Sequence, residues 1–321
     1  MRRFLLGNTR LLIALAIVIA LTFMSPVFLT KDNLLNVLRQ MALLVILSIG
    51  MTMAIITGGI DLSIGSVLAL SSCLAASFLK RGDSMWPGVM VAFAIGGAAG
   101  LLNGIMIAKV KLPPFIATYG MGWITRGIAY VYMGGNIIYG FRPQFRFLGA
   151  GYLMGIPMPI IVMACVFTAF YIFLHRTVYG RNIYAVGCNE AATRLSGVRT
   201  DRVIIMVYTL NGLLVALAGL LYIARLNAAE PVIGESFPLE AIAATLVGGT
   251  PFTGGEGGIT GTLFGAFILT LLSNGMNLLG VSSLWQSAVL GSVIVLAILA
   301  EEVSKLLTGA GPRLKRISPS P

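Results

Sequence analysis

The chain has 321 residues, of which 57% are hydrophobic and 10% charged, with a mean hydropathy of +0.93. A water-soluble domain carries roughly 25% charged residues, so a soluble enzyme or binding module is excluded. The excess of 22 Lys and Arg over 11 Asp and Glu sits mainly between apolar runs, where it sets orientation in a membrane rather than marking a nucleic-acid surface.

A spanning helix needs about 20 apolar residues. The length therefore predicts an all-α polytopic membrane protein, a single transmembrane domain over 1–321 with about ten helices and broken or re-entrant Gly-rich segments. Arg2, Arg3 and Arg10 precede an apolar run from Leu11 to Leu29. No small-x-small cleavage site follows it and further spans do, so it reads as a retained first helix rather than a signal peptide. Further spans are predicted over Leu35–Thr57, Ser63–Leu79, Gly88–Ala108, Phe115–Met133 and Pro159–Leu174. After a charged stretch at about 176–202 come Val203–Ile223, the shorter Phe237–Val247, Ile259–Leu279 and Leu284–Ala300.

With all of these crossing, both termini face the cytosol, including the basic tail 301–321 with Lys305, Arg313, Lys315 and Arg316. Segments then predicted to be inside hold 14 of the 22 cations, outer connections hold seven, and Arg126 stays within a span. That is the inward bias expected of cytosolic loops. The aromatic and Pro-containing stretch Tyr139–Pro159 suits an outer loop near the headgroups.

Two places break the apolar pattern: Thr57–Gly65, with paired glycines and Asp61, and Val247–Gly258. Irregular backbone at membrane depth is tolerated only when buried in protein or lining a wet cavity, so both should sit at a pathway or a cytosolic mouth. Asn103-Gly104 and Asn274-Gly275 recur in roughly corresponding places, a weak sign of the internal duplication common in transporters. The cysteines Cys73, Cys165 and Cys188 form no metal-ligand pattern, and His175 is the sole histidine; neither a disulfide, a metal site nor a catalytic constellation is expected.

Asn189-Glu190-Ala191-Ala192-Thr193-Arg194-Leu195-Ser196-Gly197 is a charged, helix-forming island. Asn189 suits the N-cap, Glu190 the positive helix end and Gly197 the closing turn. A short helix held outside the membrane offers shape and charge to a partner groove; the alternative is a solvated connection that only obeys the charge bias. Asn103, Thr118, Asn211, Asn274, Asn277 and Gln286 could line a polar path or hydrogen-bond between helices. Asp61 could gate the path or cap the helix that follows it. Arg126 is costly in a span unless paired or facing water, and Glu240 stands favourably near a helix N-terminus.

Glu190-Ala191-Ala192 followed by Ser196-Gly197 resembles the cytosolic coupling segment of ABC-importer permeases. With Gly58 to Ser66, Phe115-Ile116-Ala117-Thr118, Gly180 to Gly187 and Ala241 to Thr250, the chain closely resembles the ribose-type sugar permease family from about Leu34 to Leu299. Pro251 to Gly257 varies on that family's Ser-x-Ala-Gly-Gly-x-Gly pattern. The resemblance implies a multi-pass subunit of the bacterial inner membrane, surrounded by lipid. It implies a second permease subunit, identical or paralogous, an ATP-binding cassette subunit on the cytosolic side and a periplasmic sugar-binding protein. The sequence has no GxxxxGK[ST] phosphate loop, so ATP and Mg belong to the partner ATPase and no cofactor is expected on this chain. A monosaccharide would move inward by alternating access, with energy entering through Asn189 to Gly197. An ion-coupled secondary transporter or a channel would share the helix count, but scarce intramembrane acids and the lack of a filter signature count against both.

Overall fold

A computed structural model describes residues 9–81, 84–282, 285–289, 291–296 and 299. Arg2, Arg3 and the tail 301–321 lie outside the described residues, as does part of the predicted last span. The cytosolic placement of the termini falls with them.

The chain is a helical bundle. In order it forms α1 (Thr9–Met24), α2 (Lys31–Ile56), α3 (Ile64–Arg81), α4 (Trp86–Ala108) and α5 (Pro114–Met133). An outer-loop segment holds β1 (Ile138–Tyr139), α6 (Pro143–Ala150), β2 (Tyr152–Leu153) and β3 (Ile156–Pro157). Then come α7 (Met158–Arg176), α8 (Val178–Cys188), α9 (Glu190–Leu195), α10 (Thr200–Leu226), β4 (Ala228–Ala229), α11 (Phe237–Val247) and α12 (Ile259–Leu278). Helical residues resume at 285–289 and 291–296.

Six of the described helices, α2, α3, α4, α7, α10 and α12, are long and apolar enough to cross a membrane. α1, with 16 residues, and α11, with 11, are shorter than a simple span needs, and α5, which covers the predicted span Phe115–Met133, has 20 residues but is not among the six. In hydrocarbon every backbone polar group must be satisfied within the protein, which is why helices dominate. Pro opens α4, α5, α7 and α11 where its missing N–H costs nothing. Gly134 and Asn227 close α5 and α10 in the left-handed conformation.

α4 and α10 form the central pair. Gly96, Gly100 and Gly104 face Gly212, Tyr208 and Ile205 so closely that a Cβ on Gly100 would lie 2.2 Å from the Tyr208 carbonyl oxygen. Small residues at this spacing let two backbones touch, where dispersion rather than a hydrophobic driving force holds helices together. Polar pairs add to the packing: Asn33 and Asn274 exchange amide hydrogen bonds at 2.8 and 3.1 Å, and the Thr52 and Thr262 hydroxyls meet at 2.7 Å.

The two ends of the bundle differ. At one, β1 pairs with β4 antiparallel, Ile138 opposite Ala229, and Lys80 Nζ donates to the Tyr139 carbonyl at 2.9 Å. The stretch read as an outer loop is thus built from a short helix, a β2–β3 hairpin and this ribbon. At the other end α8 and α9 fold back against the bundle. The sequence pattern anticipates α9 but not α8.

Candidate coupling and translocation site

α9 begins as its residues predict. Asn189 is extended (φ −165°, ψ 102°) and its Oδ1 accepts from the Ala192 amide at 3.0 Å. Gly197 turns the chain out at φ +86°. Thr193, buried under the helix, donates to the Ala185 carbonyl at 2.8 Å and so fastens α9 to α8.

The charges of α9 are committed within the chain. Arg194 Nη2 lies 2.6 Å from Glu190 Oε1 and 3.1 Å from Asp201 Oδ1. Lys111 Nζ lies 3.5 Å from Glu190 and 3.2 Å from Asp201, and Thr200 Oγ1 donates to Glu190 at 3.2 Å. Each exposed pair is worth little, about 0.2–1 kcal/mol. As a network they fix the angle of α9 to α10 and to the α4–α5 turn. Lys111 holds its place in a left-handed conformation at φ 62°, uncommon for a residue with a Cβ. What α9 presents outward is therefore Ala191, Ala192, Ser196 and, above all, Leu195, which is 90% exposed.

Behind α9 the two backbone breaks meet. The Gly255 amide donates to the Ile56 carbonyl at 2.8 Å, the Tyr184 hydroxyl donates to the Gly257 carbonyl at 3.0 Å, and Gly187 lies between them. Gly254 and Gly255, at φ +75° and +76°, take the left-handed turn that only glycine adopts freely. The segment that ends α2 and the one that precedes α12 thus close on each other beneath α8. Burial of the Tyr184 ring raises its hydroxyl pKa above the ordinary value.

The polar candidates separate into groups. Asp61, Asn103 and Thr118 come together in a buried cluster. Asp61 Oδ1 accepts from the Ser63 amide and hydroxyl at 2.9 and 2.6 Å, and Oδ2 from Asn211 at 2.8 Å. Asn103 donates to Ser63 Oγ at 2.9 Å, and Thr118 Oγ1 accepts from the Leu62 amide at 3.1 Å. The cluster satisfies the backbone where α2 breaks before α3. Asn274 is elsewhere, paired with Asn33. Asn277 and Gln286, joined at 2.7 Å, line a cavity of about 320 Å³ with Glu240 and Arg225. Arg126 faces a different cavity and donates from Nη1 to the carbonyls of Pro231 and, at 2.9 Å, Ile233. The sequence pattern does not reveal Lys111 and Asp201 as partners of α9, since they stand 79 residues before and 11 residues after Glu190.

Residues 33–298 match the family model described as branched-chain amino acid transport system, permease component. The chain is 46% identical to the ribose import permease protein of Escherichia coli K12, over 90% of this chain and 92% of that one. It is 45% identical to the ribose import permease protein of Bacillus subtilis 168, over 89% of each. With the D-allose transport system permease protein of E. coli K12 it shares 37% identity over 88% of each chain. No solved structure matches the chain. The chain belongs to this family of ABC-importer permeases, multi-pass transport components rather than enzymes, and within it is similar to ribose and allose permeases.

Proposed function

We propose that this chain is the bacterial inner-membrane subunit that carries a monosaccharide into the cytosol. A separate ATPase drives it through α9, and a periplasmic binding protein delivers the sugar. The observation that carries the substrate class is 45–46% identity with ribose permeases over nearly the whole chain. The arrangement beneath α9 supports the mechanism. A pull on Leu195 reaches Tyr184, Gly187 and Cys188 of α8, and through them both backbone breaks. Breaks of this kind, abutting α2 on one side and α12 on the other, are where rigid helix groups can pivot in alternating access. About ten crossings, a second permease subunit and cytosolic termini complete the reading.

The test is uptake into proteoliposomes holding this chain with its ATPase and binding protein, offered labelled D-ribose, D-allose and L-leucine in turn. ATP-dependent accumulation of a sugar is the expected result. Accumulation of L-leucine alone, or of sugar driven by an ion gradient with no ATPase, would overturn it.

A further inference from the structure

The loop after β4 does not stay at the surface. It leaves the β1–β4 ribbon at Ala229 and runs inward, where Gly234 packs on the second residue of α3: a Cβ on Gly65 would lie 2.0 Å from the Gly234 carbonyl oxygen. Arg126 holds it there through the Pro231 and Ile233 carbonyls. Arg126 stands 12 residues into α5 and 7 before its end, so about 18 and about 10 Å from the two ends at 1.5 Å per residue. Glu235, the next residue of the loop, is exposed between the N-terminal end of α3 and the middle of α5.

A carboxylate exposed among membrane helices is strongly disfavoured unless it faces water or protein. Beside it α5 presents Tyr119, Trp123, Arg126 and Tyr130, which repeat at helical spacing along one face. Tyr119 and Trp123 are set edge to face with centroids 6.2 Å apart, and Trp123 is 66% exposed. These residues, with Glu235 and Ser66, line a cavity of about 370 Å³, at the small end of the roughly 300–1,000 Å³ typical of small-molecule sites.

We propose that this cavity is a water-filled station on the transport path that holds a cyclic monosaccharide. Tyr119 and Trp123 take its C–H face, and Glu235 and Ser66 bond its hydroxyls. An aromatic wall with few convergent polar groups suits a neutral polyol; Arg126, spent on two carbonyls, shapes the site by holding the loop. The inference rests on the chain carrying a sugar, as proposed above.

The assembled transporter, with the exposed Cys165 replaced by Ala, receives Val232→Cys on the cavity wall, and labelling of the same assembly without Val232→Cys is subtracted. A Met154→Cys version serves as an exposed control. A membrane-impermeant methanethiosulfonate reagent should label both, and millimolar D-ribose or D-allose, but not L-leucine, should slow labelling at position 232 several-fold. Trp123→Ala and Glu235→Gln should each raise the KM for sugar uptake several-fold with wild-type amounts of protein in the membrane. Labelling of position 154 alone, labelling of 232 indifferent to sugar, or unchanged KM in both variants would each overturn the station. Transport of L-leucine and neither sugar by the unmutated assembly would instead sink the functional reading beneath it.

Discussion

Gly187 of α8 rests against Ile56 so closely that a Cβ built on it would lie 1.8 Å from the Ile56 carbonyl oxygen and 2.5 Å from the Gly255 nitrogen. Both neighbours are backbone, which cannot swing aside as a side-chain end does. The Gly255-to-Ile56 hydrogen bond at 2.8 Å passes through the same spot.

Gly187→Ala should therefore part the two breaks. Overpacking a tight contact costs about 1–3 kcal/mol, and ATP-driven uptake should fall more than about tenfold, the factor matching 1.4 kcal/mol. Gly197→Ala is the comparison. Unlike Gly187, Gly197 is at positive φ, but it has open space around it, so the change should cost about 1–2 kcal/mol of backbone strain and retain most uptake. Transport assays with thermal melts of both variants check this.

Leu195→Asp tests what α9 shows to the outside. At 90% exposure the side chain contributes almost nothing to this chain's own fold, and surface changes of this kind stay within about 0.5 kcal/mol. The melting temperature should hold while co-purification of the ATPase and uptake are lost. Retention of both would remove α9 as the docking element.

Glu190→Lys combined with Arg194→Glu keeps the mutual pair within α9 but reverses its polarity. The introduced ammonium then faces Lys111, and the introduced carboxylate faces Asp201, so both outer contacts become repulsive. The helix should tilt, and uptake should uncouple from ATP hydrolysis with the chain still folded in the membrane. In a stability cycle the Glu190–Arg194 coupling should stay below about 1 kcal/mol, and high salt should weaken it. A transport defect far larger than that coupling identifies the network as an orienting device. Unchanged uptake rejects it.

Asn274→Leu strands Asn33 Oδ1 in the core, because its donor at 2.8 Å is the Asn274 amide, while Asn33 Nδ2 loses its bond to Asn274 Oδ1 at 3.1 Å and keeps the one to the Phe28 carbonyl. The cost should be about 1–3 kcal/mol for an unsatisfied buried group. Asn33→Leu with Asn274→Leu should recover part of it, read by denaturation in detergent, although the Phe28 carbonyl then loses its donor.

Much of this is legible in the residues. Phe237–Val247 can be read with the bounds it has, because Pro238 and the Gly-rich run after Val247 punctuate it sharply. The cap and turn of α9 follow from Asn189 and Gly197 alone. α8 escapes such a reading since Gly180, Arg181 and Asn182 look like a connection, glycine and asparagine being weak helix formers; packing on α7 and α10 overrides them. The Asp61 to Asn211 bond joins residues 150 apart, a distance that periodicity does not bridge. Trp123 and Tyr119 are hidden for another reason: apolar spacing marks a helix face but does not tell lipid from a cavity. Glu235 is silent until the loop carrying it is seen to dip.

The ribbon between Ile138 and Ala229 stands only four residues, Glu230 to Ile233, from Gly234. Those residues are themselves folded into a turn, with the Ile233 amide donating to the Glu230 carbonyl at 3.4 Å. Ribbon and Arg126-held turn are thus neighbours in the chain, so whatever sets the angle of one bounds where the other can lie.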